Sequence, residues 1–179
     1  MNICVYGSAS DDIDRSFIEA GERLGEAMAE AGYGLVYGGG GHGLMGAVAR
    51  GVHRKGGYIL GVAPTFFDPM NVYFPDCTEF KSTVTMRERK QYMEDNSGAF
   101  IVTPGGLGTF DEFIEMLSLR SLGRHNKPIA VLNTNGYYDT MSAWLKEAAE
   151  KRFIDPAKAT DFFVSEDPQE ILAYIKENA

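Results

Sequence analysis

Short apolar runs recur along this chain, and each leads through small residues into a stripe of helical spacing. Ile3-Cys4-Val5-Tyr6 is the first, followed by Leu35-Val36-Tyr37 and by residues 58–63, 99–102, 128–133 and 161–164. Runs this short and this continuously apolar read as strands buried on both faces of a sheet. Between them lie stripes such as Phe17, Ile18, Ala20, Leu24, Ala27 and Met28, or Met141, Trp144, Leu145 and Ala148, which read as helix faces turned to the core. Strands alternating with helices give a parallel sheet covered on both faces, joined by right-handed crossovers. The expected fold is therefore α/β: a single domain over residues 1–179, with a Rossmann-like parallel sheet and helices on both faces.

Local signals place the ends of several elements. Asp11 or Asp12 is read as the cap of the first helix and Gly32 as its end. Pro64 stops the third strand. Residues 65–83 lack periodicity and carry Phe66, Phe67, Tyr73, Phe74 and Phe80, so they read as a loop that shapes a pocket. A helix opens at residues 85–93, where the cations Arg87, Arg89 and Lys90 cluster in an otherwise acidic chain. Such a cluster ordinarily marks a solvated helix face. Asp167-Pro168 starts the last helix, with proline suited to its first turn.

Three of the strand-to-helix turns are built from small residues: Gly7-Ser8, residues 38–46, and Thr103-Pro104-Gly105-Gly106-Leu107-Gly108-Thr109. The third is the most informative. Backbone amides at the start of a helix have no partner within it, and the helix dipole favours negative charge there. Glycines let the main chain approach a ligand without a Cβ in the way. The stretch therefore reads as a phosphate cradle with Glu112 about one turn inside the helix behind it, although glycine there can also serve a tight turn alone. Ligands of parallel sheets bind at the carboxyl ends of the strands, so the three turns can converge on one rim. His42, in the second turn, is given no role.

The 179 residues carry a formal net charge of -8, which argues against a nucleic-acid polymer as partner while leaving room for one small phosphate. Cys4 and Cys77 stand far apart without metal-ligand neighbours, so neither a zinc site nor a disulfide framework is expected. No apolar run is long enough for a membrane span, and the chain opens directly on a strand; a cytoplasmic protein without metal or cofactor is the expectation.

Three motifs together resemble the LOG ("lonely guy") family of cytokinin riboside 5′-monophosphate phosphoribohydrolases, within the lysine-decarboxylase-like Rossmann superfamily. Residues 104–112 fit that family's PGGxGTxxE, residues 38–46 its glycine-rich loop, and Met86-Arg87-Glu88-Arg89-Lys90 its MxxRK segment. Residues 123–128 and 133–138 also look like family text. The resemblance implies hydrolysis of the N-glycosidic bond of a nucleoside 5′-monophosphate, without a cofactor, in a homodimer whose contact lies near the helix around Arg89 and the helix after Glu112. Carried over residue by residue, Arg89 and Glu112 are the catalytic pair. Gly105, Gly106, Gly108 and Thr109 hold the phosphate, and Lys90, Met86, Gly39, Gly40 and Ser8 complete the substrate-binding set. The first turn, Tyr6-Gly7-Ser8-Ala9-Ser10, departs from the family's Cys-Gly-Ser-Ser-like text. Several plant members carry a substrate-contacting acidic residue in the loop after the third strand, for which Asp68 or Glu79 can stand in.

Three other readings compete. A non-catalytic nucleotide-binding or sensor module needs the glycine loops but not Arg89 and Glu112. A decarboxylase needs a Schiff-base lysine and a pyridoxal phosphate site, for which Lys90 is the lone candidate. A dinucleotide-dependent dehydrogenase is suggested only by the spacing Gly38-x-Gly40-x-x-Gly43, which follows the second strand rather than the first.

Overall fold

The computed structural model describes residues 1–70 and 72–179, residues 69 and 70 by their backbone alone. Seven strands form one parallel sheet: β1 (Asn2–Tyr6), β2 (Gly34–Tyr37), β3 (Ile59–Pro64), β4 (Glu79–Thr83), β5 (Ala99–Val102), β6 (Ile129–Leu132) and β7 (Phe163–Ser165). Their order across the sheet is β4-β3-β2-β1-β5-β6-β7. Two alternating sets of side chains make two cores. Ile3, Val5, Leu35, Tyr37 and Ile101 face one way, against α1 (Arg15–Glu30), α2 (Gly43–Arg54) and α7 (Pro168–Asn178). Cys4, Tyr6, Val36, Val62 and Phe100 face the other, against α3 (Met86–Asp95), α4 (Leu107–Ser121) and α5 (Asp139–Glu150). The period of two along each strand thus decides which helices it carries. A fully buried Phe113 anchors α4 on that second face, and truncating such a side chain to alanine typically costs about 3–5 kcal/mol.

The structure corrects the sequence reading in several places. Asp14, not Asp11 or Asp12, caps α1, accepting the Ser16 amide at 2.8 Å. Residues 65–83 are not one loop: a 3-10 turn spans Thr65–Met70, and β4 extends the sheet beside β3, from Leu60↔Glu79 to Pro64↔Thr83. Pro64 closes β3 as its last residue. Trp144 is exposed, while Met141, Leu145 and Ala148 of the same stripe are buried. A short helix, α6 (Pro156–Ala159), precedes β7.

The strand order runs outward in both directions from β1 and β5. That pair is the switch point of the sheet, where successive connections leave for opposite faces and open a crevice at the strand ends.

Candidate active site

A cavity of about 660 Å³ opens at that crevice. Its floor comes from the end of β1, Val5 to Ala9, and from Gly38 and Gly40 after β2. One side is the start of α4, with Gly106, Gly108, Thr109 and Glu112; another is α3, with Met86 and Arg89. His42 and Met45 contribute from the start of α2, and Phe67, Val72 and Tyr73 from the segment between β3 and β4.

Arg89 reaches the cavity because of how α3 begins. The Thr85 side chain accepts the Glu88 amide at 3.1 Å, and the Glu88 carboxylate accepts the Thr85 amide at 3.2 Å. This capping box fixes the first turn and therefore the phase of every later side chain. Arg89 is left facing the sheet, 8% exposed. Its Nε donates to the Val62 carbonyl at 3.0 Å, and its Nη1 donates to Glu112 Oε1 at 2.5 Å. Glu112 is itself 7% exposed. Burial pushes its carboxyl above the ordinary glutamate range, and the Arg89 guanidinium works against that push.

Lys90, one residue along the helix, falls on a different face. Its Nζ binds Asp111 at 2.9 Å and Glu115 at 2.8 Å, clamping α3 to α4 outside the cavity. The two cations that the sequence set side by side therefore do different things.

The start of α4 is open to a ligand. Gly106 is the N-cap and offers no side chain, so the amides of the first turn point out uncapped. Thr109 and Glu112 stand three residues apart on one helix face, about 4.5 Å along the axis. The loop in front is held from behind. Tyr138, almost fully buried, donates to the Thr103 carbonyl at 2.8 Å, and Tyr137 donates to the Gly105 carbonyl at 2.8 Å. Thr103 Oγ1 donates to the Tyr6 carbonyl at 2.8 Å, and the Ser8 amide to the Pro104 carbonyl at 3.1 Å. Carbonyls that would repel an anion are thus turned inward to the protein. The start of α2 differs: Asp11 Oδ1 accepts the Gly43 amide at 2.7 Å, so a carboxylate of the chain already occupies it.

Of the residues expected from the sequence, the structure brings Arg89, Glu112, Met86, Gly106, Gly108, Thr109, Gly40 and Ser8 to one cavity. Gly105 and Gly39 stand behind it in the same loops, and Lys90 is not brought to it. Tyr6, His42, Met45, Phe67, Val72 and Tyr73 line the cavity without having been singled out as site residues. The aromatic content of residues 65–83 signalled Phe67 and Tyr73, while no sequence pattern marked Val72. Among the described residues, no cluster of three or more His, Cys, Asp or Glu fit to hold a metal is present, and no helix is long and apolar enough to cross a membrane.

A family profile described as "Possible lysine decarboxylase" matches residues 45–175. The probable cytokinin riboside 5′-monophosphate phosphoribohydrolase LOG4 of Oryza sativa subsp. japonica is 38% identical over 177 residues, 99% of this chain and 77% of that protein. This chain belongs to the LOG family. The LOG7 enzyme of Arabidopsis thaliana, named for the same activity, is 35% identical over 175 residues, 98% of this chain and 81% of that protein. The fold of this LOG-family chain recurs in the molybdenum cofactor carrier protein of Chlamydomonas reinhardtii, at a TM-score of 0.76 and 21% identity, over 98% of this chain and 96% of that one.

Proposed function

We propose that this protein hydrolyses the N-glycosidic bond of a nucleoside 5′-monophosphate, cytokinin riboside monophosphate and/or AMP, to free base and ribose 5-phosphate. The observation that carries the reading is a buried Arg89–Glu112 pair open to the same cavity as an uncapped helix start. The named activity of the LOG relatives supports it.

The chemistry follows from the residue types. The phosphate sits at Gly106, Gly108 and Thr109, where free amides and the dipole of α4 stabilise negative charge. Held there, it places the ribose over Glu112, one turn deeper on the same face. Cleavage of the bond from ribose to base develops positive charge on the sugar, as in glycoside hydrolysis. The Glu112 carboxylate stabilises that charge and positions water. Arg89 is a permanent cation; it orients Glu112 and hydrogen-bonds the substrate. Phosphate binding remote from the reacting bond contributes positioning energy to the barrier. Met45, Met86, Phe67 and Val72 give the wall an apolar lining that suits a prenylated adenine.

Lys90 stands outside the cavity, and among the described residues no lysine lines it, so the Schiff-base chemistry that a decarboxylase needs has no residue to start from here. The proposal includes a homodimer. Leu107, Phe110, Met86 and Val84 are exposed apolar side chains at the starts of α3 and α4, the surface where the family resemblance puts the contact. It also includes a cytoplasmic setting, where nucleoside monophosphates occur. Incubation with AMP and with isopentenyladenosine monophosphate, followed by chromatography of base and ribose 5-phosphate, tests the reading. Release from either supports it, and their ratio reports on the apolar wall. Tight binding without release from either favours a non-catalytic nucleotide module.

A further inference from the structure

Departure of a purine from ribose requires a proton on the base, and neither Arg89 nor Glu112 is suited to give it. A guanidinium is a poor proton donor, and Glu112 is the carboxylate paired with Arg89. Tyr6 lines the cavity, but burial pushes its phenol well above the ordinary range. The Tyr73 phenol is pushed up to about 12 and donates to Asp68 at 2.8 Å. Among the described lining residues this leaves His42, whose imidazole is a common proton donor in catalysis.

His42 is held as a working imidazole would be. Its Nδ1 lies 2.7 Å from Asp11 Oδ2; a carboxylate accepts, so Nδ1 carries hydrogen and Nε2 is the nitrogen left for a ligand. Asp11 is fixed in turn by the Gly43 amide, which meets its other oxygen at 2.7 Å. Gly43 has φ +59, and a Cβ there would come within 2.6 Å of the Ser8 and Ser10 carbonyl oxygens, so the turn after β1 and the start of α2 are pressed together. The Met45 amide, donating to the Ser8 carbonyl at 2.9 Å, locks them further. Arg50 of α2 ties its guanidinium to the Gly41 carbonyl at 3.1 Å. Asp11 thus bonds His42 directly and Arg50 is tied to the neighbouring Gly41 carbonyl, while among the described residues Arg89, Glu112, Tyr6 and Tyr73 line the same cavity.

We propose that His42, oriented by Asp11, is the general acid that protonates the departing base; the inference rests on the hydrolase reading above. The bond from C1′ to the base nitrogen breaks with its electron pair going to the base. The proton on Nε2 of the His42 imidazolium passes to a ring nitrogen of the base. Water adds to C1′ and its proton passes to Glu112, and exchange with solvent restores both side chains. The sum is nucleotide plus water to base plus ribose 5-phosphate. Asp11 is a positioning residue: it stabilises the imidazolium and fixes which nitrogen faces the cavity.

The test compares AMP with its N7-methylated form, whose base is already cationic and leaves neutral without a proton. His42→Gln is expected to lower kcat on AMP roughly 10²-fold or more, while kcat on the methylated nucleotide changes less than about threefold. Asp11→Asn keeps an acceptor for the Gly43 amide but loses the charge, and is expected to show the same substrate-dependent loss in weaker form. Equal losses on both nucleotides, or no loss on AMP, overturn the proposal while leaving the hydrolase reading intact. A wild-type protein that releases no base from either nucleotide overturns both.

Discussion

Replacing Gly38 with alanine places a Cβ 2.2 Å from Nη2 of Arg89 and 2.9 Å from the Met45 sulfur. The backbone at this position accepts alanine, so the perturbation is steric and local. Arg89 cannot simply swing aside, because its Nε is bonded to the Val62 carbonyl at 3.0 Å and its Nη1 to Glu112 at 2.5 Å. To reach contact distance from the new methyl, the guanidinium has to retreat by roughly 1 Å, which breaks one of those bonds. A hydrogen bond to a charged group contributes about 1.5–3 kcal/mol. If that bond acts in the transition state, kcat/KM for base release falls about ten- to a hundredfold. The assay is steady-state base release from AMP beside a thermal melt that shows the variant folded. A folded variant that keeps kcat/KM within about twofold of wild type refutes the claim that Arg89's position sets the rate.

Tyr138→Phe removes the donor that holds the Thr103 carbonyl, and Tyr137→Phe the one that holds Gly105. Each is expected to raise KM and the inhibition constant for ribose 5-phosphate by about three- to tenfold, with kcat changed much less, because about 1 kcal/mol of cradle preorganisation is lost; inhibition assays check this. Burial raises the Glu112 carboxyl, so on acidification kcat falls at a higher pH than an ordinary glutamate would give, read from pH profiles at saturating substrate. For stability the sign is reversed: this group's contribution is complete below the ordinary glutamate range and is lost as pH rises through the raised value, so melts of Glu112→Gln against pH should lack that component. Leu107→Asp with Phe110→Asp puts charge into the exposed apolar patch and is expected to convert a dimer to monomers, measured by light scattering on a sizing column.

The buried strands were legible because a parallel strand covered on both faces must be apolar throughout, as 59–63 and 99–102 are. β4 was not, because it lies at the sheet edge with only Thr83 buried, and Glu79-Phe80-Lys81-Ser82 carries no such signal. The glycine-rich turn before α4 was readable from its glycines and from the helix stripe behind them. The division of labour between Arg89 and Lys90 was not, because adjacent residues on a helix point about 100° apart and only the phase set by Thr85 and Glu88 decides which faces the sheet. Asp11 looked like a helix cap because cap residues look alike; it is engaged instead across the fold by Gly43 and His42, which sequence spacing does not reveal. Trp144 shares the helical spacing of Met141, Leu145 and Ala148 yet is exposed, which spacing alone does not reveal.

The most direct measurement is base release from a nucleoside 5′-monophosphate by wild type and by Glu112→Gln, with nucleotide binding followed in parallel. Glutamine keeps an acceptor for Arg89 but removes the charge that, in the proposed mechanism, stabilises the sugar cation. The account predicts release by the wild type, a loss of about 10²-fold or more in the variant, and binding retained in both. A wild type that binds the nucleotide without releasing base, or a glutamine variant as fast as wild type, would contradict it.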